Sequence, residues 1–226
     1  MNSDTQTIRI WDLWIRLFHW SLAATIVFLL VSGETGWMFF EWHRTAGEIA
    51  LTLVVFRLFW GIFGSSNARL LKLIKSPASA IVHLGELFKR KLPQERGHNA
   101  AGGWAVLLVL VSITAQAITG QFIADEEEFI EGAYYGAISG DLTDLMYTVH
   151  MRNAQLLQIF VIVHVAMVFI YLIYARVNLI FPMFTGSMKW TGTQKVPDVV
   201  YQGNWVGLIF AIVSVVAIAY VVGWVG

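Results

Sequence analysis

Five apolar stretches, near residues 13–37, 43–63, 103–123, 147–176 and 203–225, constrain this chain more than any motif in it. A helix needs about 20 residues to cross the hydrocarbon of a bilayer, and each stretch supplies them. Their period is helical rather than the alternation of a barrel strand. Composition agrees: 57% of the 226 residues are hydrophobic and 13% are charged, where a soluble domain carries about 25% charge. Ten tryptophans and seven tyrosines suit a protein with two membrane–water interfaces. The expectation is an all-α integral membrane protein with five spans. Met1 to Asp12 is polar and mixed, and no small-residue cleavage site follows the first apolar run, which reads as an uncleaved span.

Lysine and arginine give the direction. The connection from Gly64 to Gly102 holds Arg69, Lys72, Lys75, Lys89, Arg90, Lys91 and Arg96. The connection from Ala124 to Asp144 holds no base but carries Asp125, Glu126, Glu127, Glu128, Glu131, Asp141 and Asp144. The basic loop is therefore cytoplasmic and the acidic one external, with the N-terminus inside and the C-terminus periplasmic in a bacterial inner membrane. Arg9, Arg16, Arg57, Arg176, Lys189 and Lys195 fall at cytoplasmic ends and agree. Within the basic loop, Ser76-Pro77 opens a helix with Ser as cap and Pro in the first turn. Its apolar residues Ile81, Val82, Leu84, Leu87, Phe88 and Leu92 lay it on the interface, with His83 as an ordinary surface residue.

There is no cysteine, which excludes disulfides, thiolate–zinc sites, cysteine-held iron–sulfur clusters and covalent c-type haem. A metal group here would rest on other ligands. Residues 146–167, MYTVHMRNAQLLQIFVIVHVAM, place His150 and His164 fourteen apart in one span. Fourteen residues at 100° each return to within about 40° of the starting direction and rise about 21 Å. The two histidines share a face, one near each side of the bilayer. His43 opens the second span at the outer level, and His19 lies near the inner start of the first. Four histidines on three helices thus sort into two pairs by depth, His43 with His150 and His19 with His164. A lone intramembrane histidine is ordinarily a packing or proton-path residue, but two depth-matched pairs exceed that explanation. Zinc is poorly served by two ligands per level, whereas two axial nitrogens are what a porphyrin iron takes. Two b-type haems with bis-histidine ligation fit best.

Gly33 follows His19 by fourteen positions and Gly47 follows His43 by about one turn, where a side chain would obstruct a flat ring. Glycine in membrane helices also serves plain helix packing. Arg44 and Arg152 are the exceptions to the charge rule, and each adjoins an outer histidine. Arg16 precedes His19 by one turn, and Arg57 follows His43 by fourteen residues. Anionic propionates call for such cations. Snorkelling to cytoplasmic headgroups explains Arg16 and Arg57 equally well.

Motifs RLFHW (16–20), HRTAG (43–47) with RLFWGIFG (57–64), GHNAAGG (97–103) with QAITGQF (116–122), and the His150/His164 pair resemble the prokaryotic cytochrome b561 and nickel–iron hydrogenase b-type cytochrome family, over roughly residues 8–188. The resemblance implies a four-helix transmembrane haem-binding bundle with two b haems, ligated from spans one, two and four at His19, His43, His150 and His164. Residues 1–188 would form that di-haem domain. Residues 189–226 would be an extension with a fifth transmembrane helix, beyond the usual core and without a functional reading.

The function expected is electron transfer across the membrane between the quinone pool and an extracytoplasmic redox partner, a hydrogenase, another dehydrogenase or a c-type cytochrome. His98 and Asn99, at the inner mouth of span three, are candidates for the quinone site; helix capping accounts for them at least as well. Gln116 and Gln121, deeper and near the other end of span three, are further polar candidates, with packing the readier explanation. The acidic DEEEF run (125–129) would dock a basic partner or simply be a solvated loop. A stand-alone oxidoreductase, such as a superoxide:quinone enzyme, is the alternative, and a non-redox transporter or scaffold the distant one. Nothing suggests nucleic acid as a partner, and oligomerisation is left open.

Overall fold

The computed structural model describes residues 5–35, 39–89, 92, 95–125, 129–191, 196 and 198–225. Arg90, Lys91, Lys195 and the Glu126–Glu128 core of the acidic run lie outside these. Among the described residues five helices are long and apolar enough to cross a membrane. They are α1 (Leu13–Thr35), α2 (His43–Phe63), α4 (Ala100–Gly120), α5 (Gly140–Phe169, continued as a π-helical segment Ile170–Tyr174) and α7 (Asn204–Val221). Val27, Ile62, Val111, Ile162 and Val216 are all more than half exposed. Exposed aliphatic side chains on every long helix are what a lipid-facing surface requires, and the protein is a multi-pass, all-α membrane protein.

The chain divides into two compact units: Met1–Leu17, Leu58–Leu108 and Ile162–Gly207 form one, and Phe18–Arg57, Val109–Val161 and Leu208–Gly226 the other. The first unit contains two short elements without a sequence signal. Strand β1 (Thr5–Arg9) pairs antiparallel with β4 (Ser187–Thr191), Thr5 opposite Thr191 and Arg9 opposite Ser187. Gly186, at φ 79°, ends α6 (Ile180–Thr185) in the left-handed conformation. Its carbonyl accepts from the amides of Ile10 (2.8 Å) and Trp11 (3.1 Å). A side chain there would need both a strained backbone and space that the Trp11 carbonyl already occupies. Asp12 then caps α1: its Oδ1 accepts from the Ile15 amide (2.8 Å) and its Oδ2 from Trp60 Nε1 (3.1 Å), all three residues being buried.

Helix α3 (Pro77–Phe88) forms where Ser76-Pro77 points to it. Ser76 caps with its carbonyl rather than its hydroxyl, accepting from the Ser79 amide (2.9 Å) and Ser79 Oγ (2.6 Å). Ile81, Val82 and Phe88 face outward, as an interfacial helix should. His83 corrects the surface expectation: it is 5% exposed, on the opposite side of α3. The reason is a polar partner, Tyr171, whose hydroxyl lies 2.7 Å from its Nε2. In the second unit a two-residue hairpin, β2 (Ala124–Asp125) with β3 (Ile130–Glu131), follows α4.

Candidate haem site

His43 is the first residue of α2 and His150 lies in the first half of α5, both in the second unit. Their ring centroids are 6.5 Å apart. Two imidazoles bound from opposite sides of one metal, at about 2 Å per metal–nitrogen bond, hold their centroids about 6.3 Å apart. The pair fits that spacing.

The hydrogen bonds behind each ring fix which nitrogen is left for a metal. His150 Nδ1 lies 3.1 Å from the Gln116 carbonyl and 3.1 Å from Thr119 Oγ1. Thr119 donates its own proton to the Ala115 carbonyl (2.8 Å), so both neighbours of Nδ1 accept and Nδ1 must carry the hydrogen. His43 Nδ1 lies 2.8 Å from Ser32 Oγ, which in turn donates to the Leu29 carbonyl (3.3 Å). With that hydroxyl proton on the Leu29 carbonyl, Ser32 accepts from His43 Nδ1; a hydroxyl can also donate, so this contact orients the ring without fixing its tautomer. His150 Nε2 thus keeps its lone pair, as a metal-ligating histidine requires, and His43 Nε2 keeps its own when Ser32 accepts.

Two glycines give the rings room. A Cβ on Gly33 would stand 3.2 Å from His43 Cε1, and one on Gly120 would stand 3.1 Å from His150 Cε1. Gly33 therefore makes space for the imidazole itself. A Cβ on Gly47 would meet no atom of the protein within 4 Å, so protein packing does not demand glycine there. Among the described residues no cluster of three or more His, Asp or Glu could hold a metal ion. The two imidazoles thus suit a metal that brings its other ligands with it, as a porphyrin does.

The family model for prokaryotic cytochrome b561 matches residues 10–186. The chain belongs to that family. No curated protein and no solved structure matches it. As a member of the cytochrome b561 family the protein is a membrane b-type cytochrome of electron transfer, and b-type haem is its cofactor.

The remaining candidates divide. His19 is half-buried in the second unit, its ring edge-on to Trp20 at 5.0 Å, while His164 is exposed in the first. Arg57 is buried at 1% exposure, its guanidinium 5.9 Å from the centre of the Phe18 ring. That burial rules out snorkelling. Arg16 does not snorkel freely either: it donates to the carbonyls of Asp12 (3.3 Å) and Phe184. Arg44 pairs through Nε with the buried Glu48, one turn on, at 3.0 Å, and Arg152 is exposed.

Gln116 and Gln121 both make hydrogen bonds within the cytochrome. Asn153 Nδ2 donates to Gln116 Oε1 (2.7 Å) and to the Ser112 carbonyl (2.8 Å), and Ser112 Oγ donates to Asn153 Oδ1 (2.6 Å). Gln121 Nε2 donates back to the Ala117 carbonyl (3.3 Å). Of the quinone candidates, Asn99 caps α4 by accepting from the Gly102 amide (2.7 Å) and donates from Nδ2 to the Tyr171 hydroxyl (3.1 Å). The His98 ring packs on Trp11 at 4.7 Å, and its carbonyl accepts from Lys75 Nζ (3.0 Å).

Ser32, Gln116, Thr119 and Gly120 are the residues around the site that sequence reasoning did not assign. Three of them lie in QAITGQF, so their position was visible while their task was not. Ser32 sits eleven residues before His43 on another helix, and nothing in the sequence singles it out.

Proposed function

We propose that this cytochrome carries two b-type haems, one held by His43 and His150 and one by His19 and His164, and passes electrons between membrane quinone and an extracytoplasmic redox partner. The observation that carries the reading is the 6.5 Å spacing of His43 and His150 with both Nδ1 atoms engaged. The second pair rests on the fourteen-residue interval from His150 to His164, which returns to the same helix face about 21 Å away. Haem iron supplies a reversible one-electron couple; bis-histidine ligation leaves no open coordination position, which disfavours oxygen binding. The chain's own part is to hold and orient the two rings through Ser32, Thr119 and the Gln116 carbonyl. Arg44, Arg57 and Arg152 are proposed to steady the propionates, with Gly47 leaving room beside the outer ring. Quinone is proposed to react at the His98–Asn99 end of α4. Tyr171, hydrogen-bonded to Asn99, joins that site.

The test is a potentiometric titration of the purified protein followed by low-temperature spectra. Two low-spin haems are expected in the wild type, and one in His150→Ala. A single haem in the wild type, or a high-spin signal, would refute the assignment. Reduction by a quinol analogue should reach both haems, and the onward rate to a basic c-type cytochrome should fall steeply with salt if the acidic loop docks it.

A further inference from the structure

The buried side of α3 carries Leu87 and, one turn before it, a histidine that haem ligation does not explain. His83 is 5% exposed and Tyr171 6%. Their rings stack at 16° between planes, and His83 Nε2 lies 2.7 Å from the Tyr171 hydroxyl. On the other side of the imidazole, Nδ1 lies 3.7 Å from Glu95 Oε1, and Glu95 Oε2 is held by Lys75 Nζ at 2.8 Å. A cavity of about 330 Å³ opens here, lined by Lys75, Ser79, Val82, His83, Glu86, Glu95 and Ala100. At the far end the Tyr171 hydroxyl also accepts from Asn99 Nδ2 at 3.1 Å. Tyr171 stands in the π-helical segment Ile170–Tyr174, a local widening of the helix that recurs at functional sites. It follows His164 by seven residues, about two turns along the same helix.

These groups form one connected line from a water-accessible cavity to the polar mouth of α4. We infer that Glu95, His83 and Tyr171 are a proton relay serving quinone chemistry at Asn99. The inference rests on the quinone reading above. Reduction of a quinone to quinol consumes two electrons and two protons; the haems supply the electrons singly, and the relay supplies the protons. The Tyr171 hydroxyl gives its proton to a quinone oxygen while taking the one on His83 Nε2. His83 regains a proton at Nδ1 from the cavity side. The 3.7 Å to Glu95 exceeds a direct hydrogen bond, so a water in the cavity makes that transfer. Quinol oxidation runs the same steps in reverse and delivers protons to the cavity. The charged and titratable groups facing His83 are Lys75 and Glu95 from the segments flanking α3, Glu86 from α3 itself, and Tyr171 from the π-helical segment.

The experiment follows haem absorbance in the detergent-solubilised holoprotein after mixing with decylubiquinol, across pH and in D₂O. Tyr171→Phe and His83→Gln should each slow quinol-driven haem reduction about 100-fold, the scale of positioned proton transfer. Both should flatten the pH profile and abolish the solvent isotope effect. Reduction by dithionite, which passes no proton to quinone, should proceed at the wild-type rate with unaltered haem spectra. Glu95→Gln, at the partly exposed end of the line, should act in the same direction without disturbing the buried pair. Wild-type quinol rates and pH profile in these variants would overturn the relay alone, as would equal slowing with dithionite. A wild-type protein that takes no electrons from the quinol would remove the quinone reading and the relay with it.

Discussion

His43 and His150, the proposed haem ligands, show how much of such a ligand's work is done behind the ring. The Gln116 carbonyl can only accept, so it settles the His150 tautomer, while the Ser32 hydroxyl orients the His43 ring. Loss of such a support ordinarily costs a metal site about 10- to 100-fold in affinity. Ser32→Ala, which removes the hydroxyl behind His43, should lower haem retention by that order, read by haem content after extended dialysis with apomyoglobin as acceptor. Gly120 is the steric counterpart. A leucine there would place carbon where the His150 imidazole stands, since even a Cβ comes within 3.1 Å. Under the two-haem proposal, Gly120→Leu should reduce haem content from two per chain to one, measured as pyridine haemochrome against protein. Unchanged stoichiometry in that variant would show that His150 does not hold a haem.

At the scale of elements, α4 and α5 are locked by the Ser112–Asn153–Gln116 group, one turn from His150. Lipid offers these side chains no alternative partner, yet interhelical hydrogen bonds in membranes average only about 0.6 kcal/mol each. Losing the three that Asn153 makes should therefore cost about 2 kcal/mol in all. Asn153→Leu is expected to lower the thermal midpoint of haem loss in detergent without changing haem stoichiometry. Boundaries that hydropathy sets were legible, as where α2 begins at His43 and ends at Phe63, but α5 starts at Gly140, ahead of the apolar stretch, because its polar first turns carry no hydropathy signal. Helix α3 was legible from Ser76-Pro77 and its apolar residues, but the burial of His83 was not. Its partner Tyr171 lies 88 residues away, and no local pattern marks that contact. The β1–β4 pairing escaped for the same reason, since its strands are short, polar and separated by most of the chain.

For the whole molecule, orientation is the property most open to a simple test, because the chain has no cysteine to replace first. A single cysteine at Tyr135, in the acidic loop and 42% exposed, should react in intact cells with a maleimide that cannot cross the inner membrane. A single cysteine at the exposed Lys89, in the basic loop, should react only after the membrane is broken. The reverse labelling would invert the assigned topology.

Sequence by itself determined that this chain lives in a membrane and how many times it can cross, and it offered four histidines of the spans for pairing by depth. Those conclusions need only hydropathy, charge and the 100° step of a helix, which act along one element at a time. The tertiary structure decided what acts between elements: which carbonyl accepts from the His150 imidazole, that Arg57 is buried rather than reaching for headgroups, and that His83 turns inward to Tyr171. Such facts depend on side chains brought together from distant positions, and distance along the chain carries no record of them.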